Sequence, residues 1–125
     1  MKFARWVFRI AGVYGLLVLL PMYAMEAQVG RDYPPAITHP EYYYGFIGAA
    51  VAFQVVFLIV GQDPARYRPL MIAGMVEKFT YGVAALVLLA QGRIAGPPLA
   101  GAVIDLVLGG LFVAAYVRTA TPGSP

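Results

Sequence analysis

Residues 42–62 read YYYGFIGAAVAFQVVFLIVGQ, with no Asp, Glu, Lys, Arg or His anywhere in the run. A bilayer core about 30 Å thick is crossed by about 20 helical residues rising about 1.5 Å each. A membrane-barrel strand would alternate apolar with polar side chains, and this run does not. The stretch therefore predicts a membrane-spanning helix near 42–61. Its opening Tyr42-Tyr43-Tyr44 reads as an aromatic belt, since such rings favour the headgroup level.

Three further segments have the same character on either side of it, near 6–25, 69–90 and 98–117. Arg68-Pro69 and Pro97-Pro98 open the last two, proline being suited to a first helical turn. Pro21 predicts a kink near the far end of the first span. Gln62-Asp63-Pro64 closes the second span, residues 26–41 form the longest loop, and Thr121-Pro122-Gly123-Ser124-Pro125 reads as a frayed tail. The expected fold is all-α, a four-helix integral membrane bundle built as one domain from residues 1–125.

Composition points the same way. Of 125 residues, 61% are hydrophobic and only 12% charged, where a soluble domain is nearer a quarter charged. A soluble fold of this size has too little interior to hide so much apolar surface. Cysteine is absent, which excludes disulfides, thiolate metal sites and cysteine nucleophiles. Lys2, Arg5 and Arg9 before an apolar run mimic a secretory signal. The run from Ile10 to Met25 exceeds a signal core, however, and Met22-Tyr23-Ala24-Met25-Glu26-Ala27 lacks a good cleavage site, so a retained first span is expected.

Orientation follows from the flanking cations. Lys2, Arg5, Arg9, Arg66, Arg68 and Arg118 collect on one side, against Arg31 and Arg93 on the other. Both termini are accordingly expected in the cytoplasm, with loop 26–41 outside. Trp6 and Tyr67 read as inner-face aromatics. The basic residues are scattered among loops rather than forming one stripe, which argues against nucleic acid. The expected location is an inner (plasma) membrane of bacterial type.

Glu77 and Lys78 stand side by side inside the third span. A charge at mid-bilayer costs about 2.5–3.5 kcal/mol on insertion scales, so each needs a partner. Helical neighbours point about 100° apart and do not face each other. Glu77 shares a face with Ala73, Tyr81 and Ala84, whereas Lys78 shares one with Gly74, Gly82 and Ala85. Counting from the hairpin ends places Gln54 level with Glu77, about 12 Å above the inner boundary. The expected network joins Glu77 to Gln54 and to Arg9 reaching upward, with Tyr81 nearby, and joins Lys78 to Asp105 of the fourth span. These residues serve either as interhelical glue or as a binding or proton-handling site.

His39 is the only histidine and lies in the outer loop, so neither a haem nor a zinc site is expected. No phosphate loop, nucleophile elbow or zinc-protease motif occurs, no catalytic residue is assigned and no cofactor is expected.

The order of four short spans, with Glu77 in Met75-Val76-Glu77-Lys78-Phe79-Thr80-Tyr81-Gly82, resembles the small bacterial membrane proteins grouped as DoxX-like. Many members of that group have no known activity, and some resemble subunits of quinone-linked oxidoreductases; the resemblance carries no cofactor ligand onto this chain. The topology is also similar to the four-helix sterol isomerase-like group, whose intramembrane acids handle protons, although the richness in histidine and tryptophan that such a pocket implies is lacking here. The favoured function is a non-catalytic membrane protein that binds a partner subunit or an amphipathic ligand through the polar network. The alternatives are a proton- or ion-coupled transporter acting as a homo-oligomer, and a lipid- or isoprenoid-modifying enzyme with Glu77 or Asp105 as acid or base.

Overall fold

The computed structural model describes residues 2–120, so the expected tail at 121–125 lies outside the described residues. The chain is helical, with no strand among the described residues: α1 (Lys2–Leu19), a 3-10 turn (Leu20–Ala24), α2 (Glu26–Asp32), α3 (Pro40–Gln62), α4 (Leu70–Ala90) and α5 (Pro97–Arg118). Four helical stretches are long and apolar enough to cross a membrane: Lys2–Ala24, Pro40–Gln62, Leu70–Ala90 and Pro97–Arg118. Their mean hydropathies run from 1.6 to 2.1. The termini of these stretches fall within a few residues of the expected boundaries.

Two differences have local causes. Pro21 ends the α-helical part of the first span at Leu19, and the chain finishes as a 3-10 turn. Proline lacks an N–H and crowds the preceding turn, so the i→i−4 ladder stops there. The second difference is α2, a seven-residue helix inside the outer loop. It is too short and too polar to show a periodic apolar stripe, but Glu26 in its first turn and Arg31 in its last complement the helix dipole.

The helices order themselves as α3–α1–α5–α4. α1 packs along α3, α4 packs along α5, and α1 meets α5 between the pairs; α3 and α4, though consecutive, touch less than any of these. The main core cluster lies at the end where α1 starts and α5 closes. There Phe8, Phe57 and Phe112 are fully buried with Ala4, Ala11, Val60, Met71 and Ala115. Phe8 stacks on Phe112 at 4.3 Å, and Phe57 meets Phe112 edge-on at 4.9 Å. Small residues admit these rings: a Cβ on Gly74 would lie 3.0 Å from Phe57 and 3.1 Å from Phe112.

Arg68 fastens this end from the α3–α4 loop. Its Nε donates to the Tyr116 carbonyl at 3.0 Å and to Thr119 Oγ1 at 3.2 Å, and its guanidinium lies 3.6 Å from the Tyr116 ring centre. Arg118 covers the Phe3 ring at 4.2 Å, tying the close of α5 to the start of α1. At the other end, Tyr43 donates its hydroxyl to the Met22 carbonyl at 2.7 Å, and Tyr23 stacks on Tyr44 at 6.0 Å.

Apolar side chains outside the core stay uncovered. Ile10, Leu17, Phe46, Val76, Val107 and Val117 are among many large ones left exposed. The total surface of 7599 Å² exceeds the roughly 6,500 Å² of a soluble fold of this mass. Such an exterior fits a membrane protein.

Candidate functional site

The buried stripe of α4 is Met71, Gly74, Lys78, Gly82 and Ala85, spaced by three and four. Lys78 thus points into the bundle, and its side chain is only 6% exposed. Its Nζ donates to Asp105 Oδ1 of α5 at 3.2 Å and lies 5.4 Å from the Phe57 ring centre. Glycine makes that approach possible. Gly82 on α4 receives Leu106, and Gly109 on α5 receives Phe79, so the two backbones run close on either side of the ion pair. Across that close approach the four methylenes of the lysine carry its ammonium to Asp105.

Glu77 and Lys78 meet after all. Lys78 Nζ lies 3.3 Å from Glu77 Oε2. Adjacent Cβ atoms do diverge, but the lysine stem is long enough to bring its ammonium back between the two carboxylates. The contact is electrostatic only: Oε2 is buried and accepts no hydrogen bond. The bundle therefore holds one lysine between two carboxyl groups.

Gln54 and Arg9 stand apart from this cluster. Gln54 is level with Glu77 but turns towards α1, where its amide fills the space above Gly15. Its Nε2 donates to the Ala50 carbonyl at 2.9 Å, and its Oε1 is buried without a hydrogen-bond partner. Arg9 stays at the terminal end, against Gly61 and 5.9 Å from the Trp6 ring centre. Among the described residues no hydrogen bond or ion pair joins either one to Glu77. The side-chain direction chosen by each helix, which depth alone does not give, separates them.

The outer side of the cluster opens onto a groove of about 400 Å³ between α3 and α4. Phe46, Ala49, Ala50 and Phe53 form one wall, and Ala73, Val76, Glu77, Thr80 and Tyr81 the other. Glu77 is the one ionisable carboxyl in that lining, with 22% of its side chain exposed. The Thr80 hydroxyl donates to the Val76 carbonyl at 2.6 Å, which leaves its oxygen to the groove as an acceptor. Tyr81 stands 42% exposed at the rim. A second hollow on α1, lined by Val13, Leu16, Leu17, Leu20 and Pro21, has no polar side chain. The groove was not legible in the sequence, because it depends on how closely two consecutive helices pack along one part of their length.

Among the described residues no three His, Cys, Asp or Glu side chains come together as a metal site. Comparison of the chain with protein-family models, with curated proteins and with solved structures gives no match.

Proposed function

We propose that this chain is a multi-pass integral membrane protein of the bacterial inner-membrane type. In this reading both termini lie in the cytoplasm, and the protein binds an amphipathic ligand or a partner subunit without catalysing a reaction. Membership in the DoxX-like group belongs to the same proposal and rests on the order of the four spans and the segment around Glu77. The observation that carries the binding role is the position of Glu77: part of a buried charge cluster, yet exposed to a lipid-facing groove. A network serving only as glue would have its charges enclosed on all sides. Pure binding is favoured over transport because Lys78, the cation of the cluster, is itself almost fully buried between Phe57 and Asp105.

Photo-crosslinking from within the groove tests the reading. A photoreactive residue at Ala73 is expected to capture an occupant in membranes, and one at exposed Val107 on α5 is not. Capture at Ala73 is expected to fall when Glu77→Gln is added, while membrane insertion is unchanged. Equal capture at both positions, insensitive to Glu77→Gln, would leave the cluster as a structural device.

A further inference from the structure

The donors and acceptors lining the groove indicate what kind of molecule enters it. We propose that the α3–α4 groove takes a cationic amphiphile, an alkylammonium-type molecule whose charged head sits against Glu77. The inference rests on the binding role proposed above and adds the chemical class of the occupant.

Polar groups facing the groove mostly accept hydrogen bonds. Glu77 presents its carboxylate, and Thr80 has spent its proton on the Val76 carbonyl. Lys78, the cation that would attract an anionic head, is turned inward, almost fully buried and held by Asp105. Tyr81 alone offers a hydroxyl proton. An anionic head would therefore meet the Glu77 carboxyl first, with Lys78 buried behind it and shared with Asp105. A cation meets the opposite situation, because a single lysine is shared between the two carboxyl groups.

The apolar walls suit the same occupant. Phe46, Phe53 and Tyr81 border the groove, and aromatic faces attract alkylammonium groups. Ala49, Ala50 and Ala73 leave width for an alkyl chain beside them. The volume of about 400 Å³ falls within the range of small-molecule sites.

Calorimetric titration of the full chain in nanodiscs of zwitterionic lipid provides the test, with empty nanodiscs as the blank. Decyltrimethylammonium, decanol and decanoate supply the same chain with a positive, neutral or negative head. Decyltrimethylammonium is expected to bind best. Glu77→Gln is expected to weaken it by about tenfold or more while leaving decanol unchanged, since a charge-assisted contact is lost. Ala49→Trp, which fills the groove and leaves Glu77 in place, is expected to abolish binding of all three. Helicity by circular dichroism and monodispersity qualify each variant as folded.

Equal binding of the three heads, abolished by Ala49→Trp, would overturn the cationic assignment and keep an amphiphile site. Binding of none, with cross-linking of the groove to a second membrane polypeptide, would overturn it in favour of a partner helix. Binding of none with no association at all would remove both this inference and the binding role.

Discussion

Lys78 shows how a single residue in hydrocarbon is held by several weak constraints at once. It has two carboxylates within ion-pair distance, one of them hydrogen-bonded, and an aromatic ring beneath its ammonium. Replacing a buried pair with apolar groups is often neutral, whereas removing one partner costs about 3–5 kcal/mol. Lys78→Met, which leaves Glu77 and Asp105 close together without a cation, is expected to destabilise the bundle by an amount in that range. Adding Glu77→Gln and Asp105→Asn is expected to restore most of the loss. Unfolding in mixed micelles, followed by circular dichroism, measures both; an unchanged midpoint for Lys78→Met would mean that the cluster does not hold the helices.

The termini of the helices were largely legible in the sequence, because their causes are local. The close of α4 illustrates this. Gly92, just past Gln91, has φ 70°, its N–H bonds the Leu89 carbonyl at 2.9 Å, and the Arg93 N–H reaches back to Leu88 at 2.9 Å. This is a Schellman arrangement, which satisfies carbonyls that the helix leaves open. A side chain in that left-handed conformation costs about 1–2 kcal/mol. Gly92→Ala is therefore expected to lower the thermal midpoint, while Gly101→Ala, at an open helical position, is expected to leave it unchanged or raise it. The element missed by sequence reading was α2, whose seven residues carry capping charges but too little apolar surface for a periodic signal.

At the scale of the molecule, the four apolar helices place the start of α1 and the close of α5 at the same end. The triple-phenylalanine core and the Arg68 and Arg118 contacts all lie at that end. The cation asymmetry predicts that this end faces the cytoplasm. Since the chain has no cysteine, single cysteines report its topology without background. Ala36→Cys and Ala95→Cys are expected to react with a membrane-impermeant maleimide in intact cells, and Ala65→Cys only after permeabilisation. All three positions are exposed in loops. The reverse pattern would invert the orientation.

Hydrophobic length, proline positions and cation placement decide where helices start and stop, because each acts through the chain's own neighbours or through the solvent. The sequence by itself therefore determined the four apolar spans, the buried face of α4 and the nearness of Lys78 to Asp105. Which helices close on each other was decided only by the tertiary structure, since it depends on glycine hollows meeting particular side chains across the bundle. That packing turned Gln54 towards α1, kept Arg9 at the terminal end, and folded the Lys78 stem back to Glu77. It also let α3 and α4 meet at Phe57 but part beside Glu77, so that a carboxylate legible as buried charge became the polar wall of a groove.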